Sequence, residues 1–178
     1  MELRTIRDFL YRVLRAEAGC VTLAVVMPLV PAVALGISLS RTIALISTAF
    51  LIEYGAAPFG IVLGLPPVFV LYVLVCVEAG IFIGLFELFT AVGNTSERIG
   101  RFLETTTQIA NRSKTIHRYG ILGLVPLEIL IGVYICAPVS WVLGWPRNVS
   151  LAVTMAGYCI ATVITILATI GLIRIFFP

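Results

Sequence analysis

Two stretches of this chain carry no charged residue and are long enough to cross a bilayer: residues 20–40, CVTLAVVMPLVPAVALGISLS, and residues 148–173. About 20 apolar residues in a helix span the ~30 Å hydrocarbon core. With 60% apolar residues, 12% charged and a mean hydropathy of +1.10, the chain is no soluble domain, where roughly 25% charged is usual. A chain this apolar is no disordered segment either. The pattern predicts an all-α polytopic membrane protein, one domain over residues 1–178 with room for about four to six membrane segments.

The first 19 residues place Arg4, Arg7, Arg12 and Arg15 among acids. That is too long and too charged for the n-region of a signal peptide. Leu3, Ile6, Leu10 and Val13 recur at helical spacing, which predicts an amphipathic interfacial arm over 1–19. The expected order then runs through a transmembrane helix over 20–40, kinked at Pro28 and Pro31, to a broken segment over 42–65. A transmembrane helix over 67–91, a polar loop over 92–118, a second broken segment over 119–146 and a last transmembrane helix over 148–174 follow. Gly55 and Pro58 are the expected breaks in the first broken segment, Gly132 and Pro138 in the second.

An internal repeat links those segments. Ala57, Pro58, Val62, Leu63, Gly64 and Pro66 recur as Ala137, Pro138, Val142, Leu143, Gly144 and Pro146, all at an offset of 80. Charge parity then bears on topology. The arm holds four Arg, and the loop holds Arg98, Arg101, Arg112, Lys114 and Arg118, so the positive-inside rule puts both in the cytoplasm. An even number of crossings must separate them, yet three apolar segments do. The 42–65 segment is therefore expected to enter and leave on one face as a re-entrant hairpin, and 119–146 to do the same from the other face. This makes an inverted repeat of hairpin plus transmembrane helix, a recurrent transporter plan, behind an extra N-terminal helix. Asn94, Asn111 and Asn148 all lie in N-x-S/T sequons, which this topology treats as coincidence.

Glu53, Glu78 and Glu128 stand within the apolar runs. An ionisable group at membrane depth costs at least ~2.5–3.5 kcal/mol on insertion scales, so these three are the transport or proton candidates. Glu87, near the basic loop, reads as interfacial. His117, the one histidine, sits among basic residues. Cys20, Cys76, Cys136 and Cys159 form no C-x-x-C, so no metal site, cofactor or disulfide framework is expected. Ser47 and Ser140 have no base beside them in sequence, and the chain is not read as an enzyme. A net charge of +3, scattered along the chain, excludes a nucleic-acid surface. Membrane lipids are the expected partners. Gly80 and Gly84 form a small-x-x-x-small pair that suits a second copy of the chain, a membrane-complex partner or a neighbouring segment.

The stretch IEYGAAPFGIVLGLPP at residues 52–67 resembles the E-L-R-G-A-I-P…G-L-P-P element of the small multidrug export protein family. HRYGILGLVPL at 117–127 and WVLGWPR at 141–147 resemble that family's R-Y-G…P-L-P-G-T-G and L-L-G-L-P-R elements. Tyr54 replaces the family Arg, Glu53 stands one position from the family Glu, and Glu128 to Ile131 replace Pro-Gly-Thr-Gly. The family is similar to the DedA membrane proteins. The resemblance implies two re-entrant hairpins packed against helices in a prokaryotic cell membrane, with transport of a lipid or ion. The leading expectation is a small transporter or lipid scramblase, proton-coupled, with its site between the hairpins. The alternative is a structural subunit or assembly factor of a larger membrane complex.

Overall fold

The computed structural model describes residues 11, 13–14, 17–93 and 120–176. Most of the expected interfacial arm, nearly all of the polar loop with His117, and two of the sequons lie outside the described residues. All regular structure among the described residues is helical. Helix α1 (Glu17–Ala34) contains a π-turn at Thr22–Val26. Helix α2 (Leu39–Ile52) leads through a 3₁₀ turn at Glu53–Ala56 into the short α3 (Ala57–Val62), and α4 (Pro67–Gly93) follows. After a 3₁₀ turn at Gly120–Gly123 come α5 (Leu124–Ile131), α6 (Val133–Val142) and α7 (Arg147–Phe176). Among the described residues four stretches are long and apolar enough to cross a membrane: Glu17–Ala34, Leu39–Val62, Pro67–Gly93 and Arg147–Ile173.

The second of these stretches is not a straight rod. A Cβ built on Gly60 would lie 3.1 Å from Leu45 Cδ1, and one on Gly64 would lie 3.6 Å from Arg41 Nη1. In a continuous helix residues 45 and 60 would be about 22 Å apart. The chain therefore doubles back, and α3 returns alongside α2. The same happens between α5 and α6, where the Cys136 thiol approaches the Leu124 carbonyl at 3.9 Å. Straight helix would hold those two residues about 18 Å apart.

One of the two turning points differs from those expected. The two are Glu53, at φ 52° and ψ −129°, and Gly132, at φ 96° and ψ 179°. Gly132 was an expected break and Glu53 was not. Gly55 lies inside the 3₁₀ turn. Pro58 stands in the first turn of α3, where the missing N–H costs no helical bond, so it starts a helix instead of ending one. Pro138 lies inside α6, which continues through it.

At the end of each returning helix the backbone repeats at the offset of 80. Leu63, Gly64 and Leu65 donate to Phe59, Ile61 and Gly60, and Leu143, Gly144 and Trp145 donate to Val139, Trp141 and Ser140. These are Schellman caps closed by a left-handed glycine. A third copy ends α1 at Gly36, outside the repeat, so this turn alone is a general device for stopping a helix.

Helix α4 is the hub. Val70, Val73, Leu74, Val77 and Phe82 are buried along it against α1, α2, α6 and α7. Gly80 and Gly84 face α1, where a Cβ on Gly80 would stand 2.9 Å from the Cys20 carbonyl oxygen. The small-residue surface considered for a second chain is thus covered by α1. Pro31 has no N–H for the Met27 carbonyl, and the Tyr72 hydroxyl of α4 donates to that carbonyl at 2.9 Å. Gly80→Ala is expected to force α1 off α4 and cost about 1–3 kcal/mol. Gly171→Ala, with open space around it, is expected to be neutral or stabilising. Thermal unfolding of both variants in detergent checks this.

Candidate functional site

The two folded-back pairs meet tip to tip. Tyr54, one residue past the first turning point, donates its hydroxyl to the Ile129 carbonyl at 2.9 Å. Tyr134, two residues past the second, donates to the Phe50 carbonyl. Ile129 and Phe50 lie in the last turns of α5 and α2, whose carbonyls have no onward helical partner. Each tip therefore completes the other's broken backbone. Tyr54 and Tyr134 are themselves related by the offset of 80, a match that lies outside the run of six identities noted above.

Glu53 completes a third set of orphan groups. Its carboxylate lies against Gly132 and accepts from the backbone N–H groups of Val133 and Tyr134, at the start of α6. A carboxylate is favoured there by the unpaired donors and by the helix dipole. Gly132 is required twice over. Its φ and ψ lie in a region open essentially to glycine alone, and a Cβ would collide with the Glu53 carboxylate.

Behind this contact the three expected acids converge. One carboxylate oxygen from each of Glu53, Glu78 and Glu128 lies within 4.8 Å of the others. Glu53 comes from the first tip, Glu78 from the middle of α4 and Glu128 from α5. Glu78 and Glu128 are fully buried, and Glu53 is 9% exposed. Glu78 and Glu128 approach each other, yet none of their four oxygens has a protein partner in hydrogen-bonding geometry. Like charges ~4 Å apart repel by about 4 kcal/mol at an effective dielectric of about 20, so the three cannot all be ionised together. Among the described residues this is also the one grouping of acid, thiol or imidazole groups compact enough for a metal ion. The only salt bridge among them joins Arg147 to Glu87, outside the cluster.

Tyr158 of α7 is fully buried beside the acids, within electrostatic range of all three. It occupies the position in α7 that Glu78 occupies in α4, again at the offset of 80. Its ring meets Tyr54 edge-on, with centroids 6.2 Å apart. Gly157 lets α7 come this close, since a Cβ there would stand 2.9 Å from the Val125 carbonyl oxygen and 3.2 Å from Glu128 Cβ. Ser140 bonds back to the Cys136 carbonyl at 2.7 Å, and Ser47 is exposed, so neither joins the site. Trp141 packs on Phe89, with ring centroids 5.7 Å apart.

A family model described as "Putative small multi-drug export protein" matches residues 53–164, more than half of the chain. The matched stretch begins at Glu53 and takes in both turning points, Glu78, Glu128 and Tyr158. No curated protein and no solved structure matches the chain.

Tyr54→Phe and Tyr134→Phe are each expected to cost about 0.5–1.5 kcal/mol, because each removes the hydrogen bond that completes a helix-end carbonyl. Thermal unfolding in detergent checks this. Similar losses are expected for the two, since their roles are equivalent.

Proposed function

The chain belongs to the small multi-drug export protein family, and from that membership and the carboxyl cluster we propose that it is a proton-coupled membrane transporter. The observation that carries the reading is the convergence of Glu78 and Glu128, fully buried, unpartnered and in reach of Glu53. A buried carboxyl with no partner is costly unless its protonation does something. Here Glu78 and Glu128 hold a proton between them. Losing it places a second negative charge beside Glu53 and drives the tips apart, and a small solute moves in exchange.

In the proposed topology each folded-back pair is a re-entrant hairpin, and the two enter from opposite faces as inverted repeats. The reciprocal bonds of Tyr54 and Tyr134 support this, because a two-fold relation between two elements produces contacts of that kind. Charge parity supports a cytoplasmic N-terminus in a prokaryotic cell membrane. Exposed aliphatic residues at the tips, such as Leu51 and Leu130, then face lipid.

One observation favours a second reading. The bonds from Val133 and Tyr134 to Glu53 are what a structural subunit would use to hold its backbone together. The two readings part on Glu128→Gln and Glu78→Gln, which keep size and hydrogen bonding but remove the exchangeable proton. In vesicles with an internal pH dye, a transporter is expected to fall to the protein-free background in either variant while eluting normally from a sizing column. Wild-type flux in both variants, or no flux in the wild type, would leave the structural reading in place.

A further inference from the structure

Helix α7 carries a second buried polar feature. Ser150, Thr154, Tyr158 and Thr162 follow one another at every fourth residue, and all four are fully buried. Positions i and i+4 share a helix face, about 6 Å apart along the axis, so the four residues form a line about 18 Å long. None has a protein partner in full hydrogen-bonding geometry, although Tyr158 and Thr162 approach each other.

This is not how the chain otherwise treats hydroxyls in helices. Thr165 and Thr169 of the same helix bond back to the carbonyls of Ala161 and Thr165, at 2.8 and 2.7 Å. Thr22, Thr48 and Thr90 do the same in other helices. Back-bonding is the default for Ser and Thr in a helix. The hydroxyls of the buried line are unpaired instead. An unpaired buried hydroxyl costs about 1–3 kcal/mol, and four in a row would be replaced to advantage by Val and Ala if packing were their whole role.

The line runs from near a cleft past the acid cluster. Ser150 lies three residues past Arg147, which with Phe86, Glu87, Thr90, Pro146 and Asn148 lines an open cleft of about 340 Å³. Tyr158 lies beside Glu53, Glu78 and Glu128, about 16 Å along the helix from Arg147 and so near the middle of a ~30 Å hydrocarbon core. The Tyr158 hydroxyl also approaches Thr162, one turn further on.

We propose that the buried hydroxyl face of α7 holds a chain of water molecules that carries protons between the cleft at Arg147 and the Glu78–Glu128 pair. A buried water takes two to four hydrogen bonds from polar groups, and hydroxyl-bearing residues about 6 Å apart along a helix leave room for one or two waters to link them. The titratable groups facing the inner end are Glu78 from α4, Glu53 from the first tip, Glu128 from α5 and Cys136 from α6. At the mouth Glu87 and Arg147 pair with each other, so neither leaves a net charge there. The proposal rests on the reading of Glu78 and Glu128 as proton-exchanging groups, and its test uses a different signal from vesicle flux.

The test is the rate at which the buried carboxylic acids exchange with solvent. Full-length protein in lipid vesicles is moved into D₂O, and the infrared band of the protonated carboxyls is followed. The band is assigned by its loss in the Glu78→Gln, Glu128→Gln double variant. The wild type is expected to exchange promptly. Thr154→Val, alone or with Ser150→Ala, is expected to slow exchange about tenfold, the rate equivalent of losing one hydrogen-bonded link. Thr154→Ser should restore it, and Thr165→Val, whose hydroxyl is satisfied outside the line, should leave it unchanged. The single Thr154→Val variant decides the matter if the double variant fails to assemble. Wild-type exchange rates in Thr154→Val would overturn the proposal, as would wild-type carboxyls that do not exchange. Glutamine variants that keep their proton flux would count against the transport reading, while the exchange rates would still test the water path by themselves.

Discussion

The structure depends on one constraint: a chain that turns back on itself between apolar helices must satisfy its own broken backbone. Here each turn is completed by the other. Two tyrosine hydroxyls supply the donors that the last carbonyls of α2 and α5 lack, and the Glu53 carboxylate accepts the first N–H groups of α6. Tyr72 does the same for the carbonyl that Pro31 abandons in α1. These contacts replace water with side chains fixed in place, so neither tip is complete without its neighbour.

That arrangement sets where chemistry can occur. Tips that must touch bring Glu53 against α6, and the packing that holds them brings α4 and α7 alongside. Glu78, Glu128 and Tyr158 then occupy the space behind the contact. Two roles are divided among three acids. Glu53 has backbone partners, whereas Glu78 and Glu128 have none and are the acids proposed to exchange a proton. The same division separates the hydroxyls of α7, since Thr165 and Thr169 bond to their own helix while the buried line does not.

Much of this can be read from residue order. The charge-free runs mark the long helices, and Glu53, Glu78 and Glu128 stand out because acids are costly at that depth. The turning points are harder to read. Glycine and proline were the expected breakers, and Gly132 is a turning point, but Pro58 begins a helix and Pro138 is absorbed into one. A reversal needs a residue at positive φ with its neighbours satisfied from elsewhere. Nothing local singles out a glutamate for that geometry, because the partner that makes it tenable, Gly132 with the start of α6, is far along the chain. The equivalence of Tyr54 and Tyr134 is visible at the repeat offset, though its purpose appears only when the carbonyls they reach are known. Likewise Ser150, Thr154, Tyr158 and Thr162 are periodic in sequence, but so are Thr165 and Thr169, and only packing tells the two sets apart.

In the proposed topology each folded-back pair starts and ends on one membrane face, with the two pairs opening to opposite faces. Cysteines placed at Ser40, Pro66, Leu122 and Pro146, in a background lacking the four native thiols, test it directly with an impermeant thiol reagent applied to intact cells and to inverted vesicles. Ser40 and Pro66 are expected to label from one side, and Leu122 and Pro146 from the other. Labelling of Ser40 and Pro66 from opposite sides would mean that the segment between them crosses the bilayer, and would contradict the re-entrant arrangement.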